Sequence, residues 1–171
     1  MSWSLTRIPF EKGSLLLIKN QKGLQSIKYG QNQSSIDLIL DQYNKSYVPL
    51  VWNEKAFELE SELFKQYFQG KPVDFTPLKL DFSSATIFQK NIWSITRKIP
   101  YGRVETYKSV AQKINHKGYR SVGRALGRNS YLIAVPCHRV IRTNGDLGGF
   151  GSGLPLKKYL LYLEGIKQSE M

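Results

Sequence analysis

Apolar residues form short runs early in the chain and fall into helical spacing later. Ser14–Lys19 and Leu24–Tyr29 flank Asn20-Gln-Lys-Gly23. This predicts two strands joined by a hairpin loop that ends in glycine. Ile36 to Tyr43 predicts a short helix. From Ala56 to Phe68, the residues Phe57, Leu59, Leu63, Phe64, Tyr67 and Phe68 recur near helical spacing and predict a longer one. Gly70 stops it, and Pro72 cannot continue it. Residues 71–82 contain two prolines and no helical period, so an extended strand and a linker are expected there.

The second half reads as helical. Thr86-Ile-Phe-Gln89 fits a capping box, and Phe88, Ile92, Ile95 and Ile99 form an apolar stripe behind it. Arg97 and Lys98 suit the C-terminus of that helix, and Pro100-Tyr101-Gly102 breaks it. Thr106 to Ile114 and Arg120 to Arg128 predict two short helices about the turn Asn115–Gly118. That pairing is a plausible helix–turn–helix. Tyr131 to Val135 is a brief apolar run, residues 144–153 are glycine-rich, and Pro155 to Glu164 predicts a closing helix capped by Gly165.

Charge changes the picture more than composition does. The 171 residues carry a net charge of +12. Residues 1–79 hold 10 Lys/Arg against 8 Asp/Glu, whereas residues 80–171 hold 15 against 5. A basic half beside a near-neutral half fits a polyanion-binding domain with a companion. A solvated basic surface or a contact with an anionic membrane fits the same count. We place the boundary near residue 83, giving domains 1–82 and 83–171. No apolar run approaches the roughly 18 residues of a membrane span, and Met1–Phe10 lacks signal-peptide anatomy. An intracellular, cytoplasmic protein is therefore expected, nuclear in a eukaryote, with no membrane contact. One cysteine and two histidines are too few for a Cys/His structural zinc site.

That one cysteine sits in Pro136-Cys137-His138-Arg139. It is either a small buried hydrophobe or a thiol with a task. Sequence neighbours usually diverge, so His138 would reach Cys137 only through a water or a turn. It would then need an orienting carboxylate. Glu164 is the candidate, because a glutamate at a helix C-terminus is disfavoured by the dipole unless a buried partner holds it. A surface glutamate beside Gly165 is the plainer alternative. In Arg120-Ser-Val-Gly-Arg-Ala-Leu-Gly-Arg128, Gly123 and Gly127 share a face, with Ala125 nearby. Each glycine costs about 1 kcal/mol relative to alanine in a helix, so close approach to another surface is implied. That surface is either a nucleic-acid groove, gripped by Arg120, Arg124 and Arg128, or another helix. The glycine loop lacks the Gly-Lys-Ser/Thr ending of a P-loop and reads as a wall around a pocket.

Taken together, these motifs resemble the O6-alkylguanine-DNA alkyltransferases (methylated-DNA–protein-cysteine methyltransferases). The matches run in order: Thr86–Gln89, Ile99–Gly102, Val104–Tyr107, Arg120–Gly123, Gly127–Asn129, Pro136–Val140 and the glycine loop leading to Leu160-Leu161 and Glu164-Gly165. They span roughly residues 64–165; residues 1–63 match only in plan. The resemblance implies an α+β fold, with a small ribonuclease-H-like N-terminal domain before a helical domain bearing a winged helix–turn–helix. It implies a monomer acting on double-stranded DNA that contains O6-alkylguanine, with O4-alkylthymine a second candidate. The lesion base is flipped out, and its alkyl group passes irreversibly to Cys137 in one turnover, without cofactor or metal.

Roles carry over by motif. Cys137 is the nucleophile, His138 takes its proton through a water, and Glu164 orients His138. Asn129 ties the recognition helix to the active-site turn. Tyr107 protonates the leaving guanine. Arg120 fills the gap in the duplex, flanked by Arg124 and Arg128, while Gly123 and Ala125 admit the groove floor. Val140, Arg139, Phe150, Gly151 and Ser152 are expected around the substrate pocket, with the backbone of Cys137 and Val140 reading the base edge. Two positions depart from many relatives. Gly151 stands where some have serine, leaving a backbone N–H, or Ser152, to face the substrate oxygen. Leu132 stands where some have proline. Three other readings remain: a lesion sensor that does not repair, a thiol hydrolase, and a structural DNA-binding module.

Overall fold

Four successive apolar residues, Leu15 to Ile18, require a strand covered on both faces. A computed structural model describing residues 3–45 and 48–166 shows how this is met. Strand β2 (Gly13–Asn20) lies inside a four-stranded sheet. Its neighbours are β1 (Trp3–Phe10) and β3 (Gly23–Gly30), both antiparallel to it. The short β4 (Leu50–Trp52) runs parallel to β1. Leu16 and Ile18 pack with Leu5 and Ile36 beneath helix α1 (Gln33–Asn44). Leu15 and Leu17 join the main core on the other face, with helix α2 (Glu58–Phe68) and the C-terminal helices.

The hairpin is as expected, but β1 and β4 were not foreseen. In β1, Ser4, Thr6 and Arg7 dilute the apolar pattern, and Pro9 argues against a strand. Pro9 is tolerated because β4 pairs only with Trp3–Leu5, so no partner needs its missing N–H. The expected helix from Ala56 begins as a 3-10 turn, Glu54–Phe57, before α2. Residues 71–82 do not form the expected strand. Their backbone pairs with the sheet at one bridge, Leu24 to Leu80. Arg97 pins this segment by donating to the carbonyls of Phe75, Thr76 and Leu78 at 2.9–3.1 Å. It therefore serves a neighbouring segment as well as its own helix end.

The C-terminal helices are α3 (Ile87–Thr96), α4 (Tyr107–Lys113), α5 (Tyr119–Gly127) and α6 (Leu154–Leu163). Thr86 and Gln89 form the reciprocal capping box on α3. Trp93 Nε1 donates to Ala125 O at 3.0 Å and clamps α3 to α5. A two-stranded parallel pair, β5 (Glu105–Thr106) and β6 (Val140–Ile141), joins the start of α4 to the far side of the turn that holds Cys137.

One core runs through both halves, from Leu15 and Ile27 through Phe64 and Tyr67 to Val122, Tyr131 and Leu160. The free edge of β3 receives the apolar run that precedes Cys137: Ile27 N–H donates to Ser130 O at 2.8 Å and Leu132 N–H to Ile27 O at 3.3 Å. The N-terminal sheet therefore sets the position of the segment leading to the thiol. Residues 1 and 171, the outer ends of the expected domains, lie outside the described residues. No helix among the described residues is long and apolar enough to cross a membrane.

Candidate active site

Two tight turns deliver Cys137. Ile133 has φ of +70°, and Ala134 N–H donates back to Leu132 O at 2.9 Å. This closes a γ-turn about a β-branched residue, a conformation that stores on the order of 1–3 kcal/mol. Pro136 (φ −78°, ψ 63°) repeats the turn in its relaxed hand, with Cys137 N–H donating to Val135 O at 2.8 Å. Cys137, His138 and Arg139 then form one 3-10 turn. Its geometry gives the thiol to Asn129 and brings His138 and Arg139 to one shared partner, Glu164.

The thiol faces a cavity, while His138 and Arg139 turn inward. Asn129 Nδ2 donates to Cys137 Sγ at 3.1 Å and to Val135 O at 2.8 Å. Its carbonyl accepts from Tyr131 N–H at 2.8 Å. One side chain thus ties the end of α5 to the turn. Cys137 is only 8% exposed. Burial pushes its pKa up, against a smaller opposing pull from the Asn129 amide.

His138 is fully buried. Its Nε2 lies 2.7 Å from Glu164 Oε1, whereas Nδ1 has no hydrogen-bond partner among the described residues. Burial lowers the imidazole pKa, outweighing the opposite effect of Glu164. A neutral imidazole with Nε2–H on the carboxylate and a free Nδ1 lone pair is a competent base.

Glu164 is 4% exposed and heavily solvated by protein donors. Arg139 donates to it through Nε at 2.8 Å and Nη2 at 3.0 Å. Tyr67 Oη donates at 2.6 Å and Gly102 N–H at 3.3 Å. Burial alone would raise the carboxyl pKa, but His138 and Arg139 pull it down to about 2. The guanidinium is a permanent cation, so Glu164 stays ionised while His138 is neutral. The buried-partner reading of Glu164 is the one found.

The cavity outside the thiol measures about 880 Å³. Tyr107 and Lys108 of α4 and Arg120, Gly123, Arg124 and Gly127 of α5 form one wall. Arg142 and the glycine loop, including Phe150 and Gly151, form the other. Tyr107 Oη lies 3.4 Å from Gly149 O, and a Cβ on Gly148 would meet that hydroxyl at 2.9 Å. Gly148 also has φ of +70°, so glycine serves both the turn and the phenol. Burial and the neighbouring Cys137 raise the phenol pKa.

Several expected residues lie elsewhere. Ala125 does not face a groove; it is 4% exposed, packed in the core, with its carbonyl on Trp93. Arg139 does not line the cavity; it lies behind the thiol, on Glu164 and the Ile99 carbonyl. The Val140 side chain is buried, and its carbonyl accepts from Lys157 Nζ at 2.7 Å. Arg128, expected on DNA and not in the pocket, is exposed at the C-terminal end of α5. Ser152 lines a smaller crevice that Cys137, Phe150 and Gly151 also border.

Three contributors were missed. Tyr67 was hidden in an apolar stripe. Gly102 was read only as a helix breaker, although its N–H serves Glu164. Lys157 is fully buried and also donates to Leu147 O; burial lowers its pKa to about 8. A lysine amid the apolar residues of α6 was the available signal. Among the described residues, no cluster of three or more His, Cys, Asp or Glu side chains is placed to hold a metal ion.

Comparison with known proteins gives a consistent result. Residues 1–82 match the family described as 6-O-methylguanine DNA methyltransferase, ribonuclease-like domain, and residues 87–166 match the DNA binding domain of the same name. A methylated-DNA–protein-cysteine methyltransferase of Methanosarcina barkeri is 39% identical over 89% of this chain and 90% of its own length. The crystal structure of Mycobacterium tuberculosis OGT in complex with DNA superposes with a TM-score of 0.77 at 30% identity, covering 95% of this chain and 93% of that one. The O6-methylguanine-DNA methyltransferase of Pyrococcus kodakaraensis gives 0.74 at 26% identity, covering 95% and 99%.

Proposed function

This chain belongs to the 6-O-methylguanine-DNA methyltransferase family, and from that premise we propose that it repairs DNA by taking the alkyl group of O6-alkylguanine onto Cys137. The observation that carries the reading is a thiol that lines a cavity walled by a basic helix and is followed in the chain by a buried histidine held by Glu164.

Double-stranded DNA meets the helix–turn–helix along the face of α5 that bears Arg120, Gly123, Arg124 and Gly127. Gly123 and Gly127 leave room for backbone approach, and the arginines meet phosphates. The damaged guanine leaves the stack and enters the cavity, while Arg120 takes its place in the duplex. Asn129 fixes Sγ at the cavity wall.

Burial keeps Cys137 protonated in the resting protein. His138 Nδ1 takes the thiol proton through a bridging water as the base arrives, and Glu164 holds the imidazole. Sγ then attacks the alkyl carbon from the side opposite O6. The S–C bond forms, the C–O6 bond breaks, and the electron pair leaves on the purine. Tyr107 keeps its proton at neutral pH and donates it to that developing anion. The thioether has no base-catalysed route back to a thiol, so each monomer acts once.

The test is mass spectrometry of the intact protein and its peptides after mixing with an oligonucleotide duplex containing O6-methylguanine. One methyl on Cys137, with guanine restored and no second turnover, supports the reading. An unmodified protein that stays bound to the lesion indicates a sensor. Multiple turnover on a small ester indicates a hydrolase.

A further inference from the structure

Helix α5 opens on an aromatic residue that the fold does not use. Tyr119 is its first residue and is 55% exposed. It makes no hydrogen bond or ring contact among the described residues. It lines the large cavity together with Arg120, Gly123, Arg124 and Gly127. Successive helical residues are about 100° apart, so Gly123 and Gly127 lie roughly 40° and 80° round from Tyr119, and Arg120 about 100°. The glycine stripe therefore runs between Tyr119 on one flank and Arg120 on the other.

The corner that carries both residues is stapled. Ser121 Oγ donates to Gly118 O at 2.8 Å, and the same oxygen accepts from His116 Nε2–H at 2.8 Å. The His116 ring meets Phe88 of α3 edge-on, with centroids 4.9 Å apart. A Cβ on Gly118 would lie 2.8 Å from Ser121 Oγ and 3.1 Å from His116 Nε2, so a glycine lets this turn close. Tyr119 is thus an unsupported ring on a firm mount.

The chemistry of the ring says what it meets. Phosphates are held by charge and by hydrogen-bond donors, which Arg120 and Arg124 supply. A bulky aromatic on a face otherwise small or cationic suits the apolar parts of a nucleic acid, its base faces and deoxyriboses. Proteins that enter the minor groove press such side chains between base steps, unstack them and kink the duplex.

We propose that Tyr119 is a wedge. Its ring enters the groove on the flank of the glycine stripe away from Arg120 and parts the base step beside the damaged nucleotide. That lowers the cost of turning the nucleotide out. The inference rests on the alkyl-transfer reading and deepens it: one residue opens the duplex and its neighbour fills the gap.

The test uses the full-length protein under single-turnover conditions, with wild type, Tyr119→Ala and Tyr119→Phe compared. O6-methylguanine would be placed in a fully paired duplex, in a short mismatched bubble, or supplied as the free base. A 2-aminopurine beside the lesion reports unstacking by brightening. Tyr119→Ala should slow repair in the paired duplex about tenfold, within the range for a base–aromatic contact. It should slow repair in the bubble much less, because that duplex is already open, and leave the free-base reaction unchanged. Tyr119→Phe should behave as the wild type, and the brightening should be lost only in Tyr119→Ala. Equal slowing in paired duplex and bubble would overturn the wedge and leave a plain groove contact. Slowing of the free-base reaction would overturn it in favour of a structural role. Absence of methyl transfer in the wild type would overturn the transfer reading, and the 2-aminopurine signal on binding would still decide Tyr119: equal brightening with wild type and Tyr119→Ala rejects the wedge.

Discussion

Tyr67 and Glu164, 97 positions apart in sequence, meet in a 2.6 Å hydrogen bond at the back of the active site. The phenol comes from α2, in the N-terminal half, and the carboxylate from the end of α6. Tyr67 is fully buried, and burial together with Glu164 raises its pKa far above the usual phenol range, so it is a fixed donor. The N-terminal half thus supplies a donor to the carboxylate that holds His138, in addition to supporting the fold.

Tyr67→Phe keeps the ring and removes this donor. Glu164 Oε1 then holds His138 and Arg139 alone and becomes more basic toward the imidazole. The pKa of His138 should rise, and the acid limb of the single-turnover rate should move to higher pH. Stability should fall by about 1.5–3 kcal/mol, the range for a hydrogen bond to a charged group. A rate profile unchanged in position, measured from pH 5 to 8, would show that Tyr67 serves the fold only.

Glu164→Ala leaves the Arg139 guanidinium buried without its counter-charge. Breaking a buried pair from one side costs roughly 3–5 kcal/mol. Urea unfolding at neutral pH should report a loss of that size, together with loss of alkyl transfer. A loss below about 1 kcal/mol, the scale of an exposed pair, would mean that the pair is open to solvent.

The same groups set the acid limit of the fold. Glu164 is depressed to about 2 from 4.5. Its contribution is complete above 4.5 and is lost as pH falls toward 2. His138 is also depressed below its ordinary 6.5. The native state resists its protonation, and that contribution declines once pH drops below 6.5. Urea midpoints should therefore decline below neutrality and fall more steeply below pH 4.5. Glu164→Gln should flatten the lower part of the curve.

Asn129→Ala removes the amide that touches Sγ and spans the turn. The thiol pKa should rise further, because that amide lowers it in the wild type. Alkyl transfer should slow by about 10- to 100-fold, corresponding to about 1.4–2.7 kcal/mol of lost positioning. Reactivity of Cys137 with a small haloacetamide across pH gives the thiol shift directly. No shift would remove the amide from the mechanism.

Arg120→Ala should slow repair of duplex DNA more than reaction with the free alkylated base. An equal fall in both would exclude a role in filling the duplex gap. Duplex affinity should also drop steeply with salt, as counterion release requires. Its log–log slope should become shallower in Arg124→Ala if Arg124 meets a phosphate.

The sequence alone determined most of the second half. The capping box at Thr86 and the two short helices follow from local spacing and turn chemistry, His138 and Glu164 from their place beside the lone cysteine and at a helix end, and Asn129 only from the family resemblance. These signals act over a few residues, where caps and breakers are explicit. Strand β1 stayed hidden because its pairing lies with β2 and β4, and its own alternation is broken by Ser4, Thr6, Arg7 and Pro9. Arg139 was legible as a motif residue but not as the partner of Glu164. A 3-10 turn parts the thiol from the two side chains that follow it, and spacing cannot say which goes where. Tyr67 and Gly102 reach the thiol's surroundings only through tertiary packing. Their partners lie far away in sequence, and burial and charge pairing are properties of the folded core.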